Sequence, residues 1–124
     1  MEQKFYICKH CGNIITMVKP TGVPVMCCGE KMAELVPGEV DAATEKHVPV
    51  YEVEDGKVIV KIGEVAHPMT EEHLIEWVAV QTKQGFQVKK LAAEHEPESW
   101  FKITDCDEVE AVYAYCNLHG LWKK

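Results

Sequence analysis

Short runs in which apolar and polar positions alternate dominate the chain after residue 47. A side-chain period of two belongs to a strand with one face on a core. VPVYEV (48–53) and KVIVKI (57–62) flank Glu54-Asp55-Gly56. Asp-Gly between alternating runs predicts a tight hairpin, because such turns need residues that tolerate positive φ. LIEWVAVQT (74–82) and FQVKKL (86–91) flank Lys83-Gln84-Gly85 and predict a second hairpin. SWFKIT (99–104) and EAVYAY (110–115) predict a third pair around the acidic turn Asp105-Cys106-Asp107-Glu108. Only MTEEH (69–73) hints at a helical turn, with Thr70 as its N-cap. Strand-length runs separated by turns, with no long helix, predict a mainly β protein built as an antiparallel β-sandwich.

The first 36 residues lack this alternation and hold four of the six cysteines. A piece that small buries too little apolar surface to fold unaided and needs a metal, disulfides or a partner. VPGEVDAAT (36–44) reads as a linker, rich in Pro, Gly, acidic and small residues. The expected organisation is a metal-binding module over 1–36, a linker over 37–44 and a sandwich domain over 45–124.

Composition changes the picture in three ways. A net charge of −7, from 13 basic and 20 acidic residues, argues against a nucleic-acid groove, which needs a basic stripe. It also means that an anionic substrate must be drawn in by a local positive spot. No apolar stretch approaches the ~18 residues of a membrane span, and MEQKFYICKHC lacks the basic-then-apolar layout of a secretory signal. The expected compartment is therefore the reducing cytoplasm, where six cysteines point to metal or redox chemistry before disulfides.

Cys8-x-x-Cys11 with adjacent Cys27-Cys28 offers four thiolates to one tetrahedral ion, zinc or iron. Neighbouring side chains diverge, so an irregular tetrahedron is expected. His10, between the two turn cysteines, is expected to be exposed and not a ligand. His47, His67, His73 and His119 all fall near expected strand ends, where loops of a sandwich gather, and Cys116 stands three residues before His119. His95 sits among carboxylates and Cys106 has no histidine nearby, so both are left outside the site. One thiolate with four imidazoles exceeds the four ligands of structural zinc. Five donors with a sixth position open suit iron, and Fe(II) in that set carries a net charge near +1 that attracts a small anion.

Five motifs occur in order: Cys8-Lys9-His10-Cys11-Gly12-Asn13, Cys27-Cys28-Gly29-Glu30, Glu45-Lys46-His47-Val48-Pro49-Val50, His67-Pro68-Met69 through His73, and Cys116-Asn117-Leu118-His119-Gly120. In this combination the chain resembles the desulfoferrodoxins, the two-iron class of superoxide reductases, along essentially its whole length. The resemblance implies a desulforedoxin-like module followed by an immunoglobulin-like antiparallel β-sandwich, usually as a homodimer. It implies two iron ions per chain. One is Fe(Cys)4, held by Cys8, Cys11, Cys27 and Cys28. The other, catalytic, has His47, His67, His73 and His119 as equatorial ligands and Cys116 as the axial thiolate. The implied reaction is one-electron reduction of superoxide to hydrogen peroxide, with a rubredoxin-type protein as electron donor. Lys46 is the expected positive spot, and Glu45 is expected to close over the sixth position after product leaves. The main alternative is a non-enzymatic iron electron carrier, which would need no open position.

Overall fold

The computed structural model describes residues 2–124. The chain divides between Val36 and Pro37 into two compact units.

The first unit is built from β1 (Phe5–Ile7), β2 (Ile14–Thr16), β3 (Met26–Cys27), β4 (Glu30–Lys31) and β5 (Ala33–Glu34). They form a three-stranded sheet, β2-β1-β5, and a two-stranded ribbon, β3-β4. Among its described residues the buried apolar ones are Phe5, Cys8 and Met32, far too few to offset the ordering of the chain. Both cysteine pairs sit on tight turns. One turn follows β1 and is closed by the Gly12 N–H on Cys8 O at 2.8 Å; the other joins β3 to β4.

The second unit opens with a single helical turn, α1 (Thr44–His47), followed by β6 (Pro49–Glu54), β7 (Lys57–Ile62), β8 (Ile75–Thr82), β9 (Phe86–Lys90), β10 (Glu98–Lys102), β11 (Val109–Cys116) and β12 (Gly120–Lys123). Two antiparallel sheets result, ordered β10-β7-β6 and β12-β11-β8-β9. Val58, Val60 and Ile62 of β7 and Phe101 of β10 pack with Ile75, Val78 and Val80 of β8 and Val112, Ala114 and Cys116 of β11. Burial of each large aliphatic side chain stabilises the fold by about 1.5–3 kcal/mol. Where the sheets have no shared ladder, side chains join them. Gln87 Nε2 donates to Lys102 O at 2.7 Å and Lys89 Nζ donates to Trp100 O.

The first two hairpins form as expected. Glu54 pairs with Lys57 across Asp55-Gly56, whose φ angles of 48° and 75° are both positive, and Gln81 pairs with Phe86. The third expected pair does not form. β10 pairs with β7, and β11 with β8 and β12, so the acidic turn is a crossover between sheets. Ile103 N–H bonds to Gly56 O on one side of that turn, and Lys83 N–H to Glu108 O on the other. The helical turn expected at 69–73 is also absent. Thr70 Oγ1 does accept the His73 N–H at 3.1 Å, as an N-cap would, but the Thr70 N–H closes back on His73 O at 2.9 Å. The chain then enters β8. Among the described residues no helix is long and apolar enough to cross a membrane.

Candidate metal centres

Among the described residues two groups of ligand-type side chains converge, one in each unit. In the first, the sulfurs of Cys8, Cys11, Cys27 and Cys28 all lie within 4.8 Å of one another. The Cys11 and Cys27 sulfurs are 3.7 Å apart. Thiolate bonds of about 2.3 Å to a tetrahedral ion set sulfurs about 3.8 Å apart, so this edge is already the right length. The adjacent cysteines converge because Cys28 is left-handed, with φ 52°, and Gly29 follows at φ 78°. That twist undoes the usual divergence of neighbours. Asn13 Nδ2 lies 3.8 Å from the Cys27 sulfur.

The thiols titrate far apart. The Cys11 N–H above all, reaching the Cys8 sulfur at 3.5 Å, draws Cys8 down to about 6. Cys28 is pushed up to about 12, first by its hydrogen bond with Cys8 and then by Cys11. Four crowded sulfurs accept one negative charge easily and resist the rest. A cation at their centre reverses that penalty and expels the protons.

In the second group, ligand atoms of His47, His67, His73 and Cys116 lie within 4.8 Å of one another, and His119 completes the set. His47 closes α1, and His67 and His73 lie on the β7–β8 connection. Cys116 ends β11, and His119 immediately precedes β12. The four rings form a near-square, taken in the order 47, 67, 73, 119. Its sides are 4.6, 4.6, 5.1 and 4.9 Å between ring centroids. The His47–His73 diagonal is 6.4 Å. Neighbouring rings are turned by 75° to 89°, while the diagonal pair is 29° from parallel. His47 Nε2 lies 3.1 Å from both His67 Nε2 and His119 Nδ1. Imidazole bonds of about 2.1 Å at right angles place nitrogens about 3.0 Å apart. Cys116 Sγ is 3.8 Å from His119 Nδ1.

The rings are oriented by the backbone. Nδ1 of His47 meets Ala43 O and Nδ1 of His67 meets Pro68 O, each at 2.7 Å, which leaves Nε2 for the centre. His73 Nε2 is buried with no hydrogen-bond partner. Such an orphan costs about 1–3 kcal/mol, which a bound cation removes. Burial is the main cause that lowers the pKa of His47, His67 and His73, His67 to about 4, so these donors are neutral at physiological pH. Burial raises the Cys116 thiol, and the backbone N–H groups of Leu118 and His119 act in the opposite sense. The donor set fits a cation with more than four ligands.

The desulfoferrodoxin family model matches residues 39–124. The chain belongs to the desulfoferrodoxin family. It is 44% identical over 118 residues to a desulfoferrodoxin homolog of Archaeoglobus fulgidus, covering 95% of this chain and 93% of that one. With the desulfoferrodoxin of Nitratidesulfovibrio vulgaris the identity is 42% over 125 residues, covering 98% and 95%. The crystal structure of the superoxide reductase from Treponema pallidum superposes with a TM-score of 0.85 at 43% identity, covering 100% of this chain and 99% of that one. The four-cysteine group and the group of four histidines with one cysteine match the two iron sites of desulfoferrodoxin-type superoxide reductases, and the mainly β fold matches that architecture.

Glu45 and Lys46 lie exposed on α1, directly before buried His47. His10 is exposed and pairs with Glu30 at 3.0 Å. Neither His95 nor Cys106 enters either group. Cys106 is exposed and bonded by Gln84 and Thr104, which lower its pKa. The residues that sequence reasoning missed are the supports. Trp122 packs on His47, and Asn117 bonds the segment around His73. Gly63 lets the β7–β8 connection approach α1: Val65 N–H bonds Glu45 O at 2.9 Å. The positive φ of Gly63 had only an isolated glycine as its signal, and Trp122 sits in a terminal strand too short to show a period.

Proposed function

We propose that this chain is a superoxide reductase that converts superoxide to hydrogen peroxide with one electron and two protons. The observation that carries the reading is the near-square of four imidazoles, each turned steeply against its neighbours, beside one buried cysteine. Nε2 of His47, His67 and His73, Nδ1 of His119 and the Cys116 thiolate would hold the catalytic iron. Cys8, Cys11, Cys27 and Cys28 would hold the other iron. Iron bound there as Fe(II) would supply the single electron that superoxide accepts, and the Cys116 thiolate would donate density that favours the oxidised metal.

The chain's own groups handle charge and protons. Lys46 places an ammonium one residue from His47, on a protein of net charge −7. Its charge is felt in the site, since it helps to hold down both His47 and His73. It focuses the field on the open side and so raises the encounter rate with an anion; it then orders a water that delivers a proton. Glu45, on the same exposed turn, covers the open side once product has left.

The same reading takes 1–36 as an iron–sulfur module, 37–44 as a linker and 45–124 as the catalytic domain. It takes the protein as a cytoplasmic homodimer with a role in detoxification and electron transport, reduced by a rubredoxin-type protein. The decisive experiment is product stoichiometry when prereduced, iron-loaded protein meets a known pulse of superoxide. One peroxide per superoxide with no oxygen released is the expected result. Half a peroxide with oxygen evolved would make the protein a dismutase, and no fast reaction would make it an electron carrier.

A further inference from the structure

We propose that Asn117 is a positioning residue for the histidine–thiolate centre, tying the segment that carries His73 to the turn that carries Cys116 and His119. The inference rests on the iron reading of that site. From Gln81 opposite Ala111 to Trp77 opposite Tyr115, β8 and β11 pair regularly, and then the register slips so that Cys116 faces Ile75. Beyond the slip the two chains are held by Asn117. Its backbone N–H donates to Leu74 O at 3.2 Å and its Oδ1 accepts the Leu74 N–H at 3.0 Å. Its Nδ2 donates to Glu72 O at 2.9 Å. One residue thus grips the backbone on both sides of His73.

His73 needs this grip more than its partners do. His47 and His67 are each oriented by a backbone carbonyl on Nδ1. The loop carrying His73 is closed on itself through Thr70, which stiffens it without fixing where it points. Its Nε2 is buried and aimed among the other ligand atoms without a hydrogen-bond partner. Apart from the single pairing of Cys116 with Ile75, the bonds of Asn117 are what relate that loop to Cys116 and His119. A carboxamide presents an acceptor and a donor side by side and so imitates a backbone peptide where the ladder has ended. Asp offers the same shape and the same preference for turns, but no donor.

That difference separates positioning from turn formation. Asn117→Ala and Asn117→Asp are made in the full-length, iron-loaded protein. Iron retention is read by chelator competition, and the histidine–thiolate centre by its sulfur-to-ferric absorption band. Absorption of the Fe(Cys)4 centre in the same molecule and the unfolding midpoint serve as controls. Asn117→Ala should weaken iron at the histidine–thiolate centre about 10–100-fold and shift its band, with Fe(Cys)4 unchanged. Asn117→Asp should recover only part of that loss. If Asn117→Ala does not fold, the isosteric Asp variant carries the test alone. Wild-type affinity and band in the Ala variant, full recovery in the Asp variant, or joint loss of both centres would each overturn the proposal. A wild-type chain that binds no iron among these histidines would overturn the underlying reading, and the proposal with it.

Discussion

The Trp122 indole packs against the His47 imidazole with ring centroids 5.0 Å apart and planes 31° apart, and its Nε1–H donates to His119 O at 3.0 Å. One buried side chain therefore braces two neighbouring corners of the imidazole square. Trp122→Phe keeps an aromatic face on His47 and drops the bond to His119, a loss of about 1 kcal/mol. Trp122→Ala removes both and should cost about 3–5 kcal/mol. Urea unfolding of the two variants checks the ranking. Equal losses would mean that the hydrogen bond, not the packing, is what matters.

Local signals sufficed for the β6–β7 and β8–β9 hairpins, whose strands are neighbours along the chain and long enough to show a period. Asp55-Gly56 shows the β6–β7 hairpin because the positive φ values that the turn requires are written in those residue types. The Asp105–Glu108 turn looks similar, yet it crosses between sheets, since which sheet a strand joins is decided by distant packing. α1 has four residues and β12 has four, too few to show a period. Cys and His types announced both centres, but the carbonyls of Ala43 and Pro68 that orient two rings have no residue signature at all. Nor did Cys27-Cys28 betray the left-handed Cys28 that makes four sulfurs converge.

Gly63 sits at φ 82°, and a methyl there would fall 2.5 Å from Val65 O and 2.7 Å from both Glu45 O and Lys46 O. Backbone atoms cannot yield as a flexible side chain can. Gly63→Ala should therefore destabilise the protein by about 2 kcal/mol or more and displace the turn bearing Glu45 and Lys46. Gly85, where an added methyl meets open space, is the control, expected within about 0.5 kcal/mol of wild type. Thermal unfolding of both variants, with the rate of superoxide reduction, checks the contrast.

Lys46 is exposed, so its replacement should leave stability almost untouched. Lys46→Ala should instead slow the bimolecular reaction with superoxide by about tenfold and flatten its dependence on ionic strength, since a field-focusing charge is what salt screens. Pulse radiolysis over a salt series gives both numbers. An unchanged rate would remove Lys46 from the mechanism.

Asp107 has a lowered pKa, caused first by the Thr82 hydroxyl and then, against some desolvation, by the N–H groups of Glu108 and Gln84. Its folded pKa lies below its unfolded value of about 3.9, so the folded state binds this proton less readily. The stabilisation is complete above about pH 5 and is lost as pH falls through the folded pKa. Asp107→Asn should thus lower the urea midpoint near neutrality and narrow its gap to wild type as pH approaches 3. A gap constant across that window would mean the bonds hold the turn regardless of charge.

Removal of iron should act unequally on the two units. Among the described residues, ten side chains of the sandwich form one fully or nearly fully buried cluster, whereas the apolar residues buried in the first unit are only Phe5, Cys8 and Met32. With so small a core, the ion among the four cysteines must supply most of the stability of residues 2–36. Chelation under reducing conditions should therefore abolish amide protection at Tyr6 and Ile7 of β1, while Val78 to Val80 of β8 keep theirs. Hydrogen exchange followed by mass spectrometry resolves the two regions in one experiment. Protection in β1 that survives complete iron removal would show that the strands hold without the metal, and that the four sulfurs serve electron transfer rather than folding.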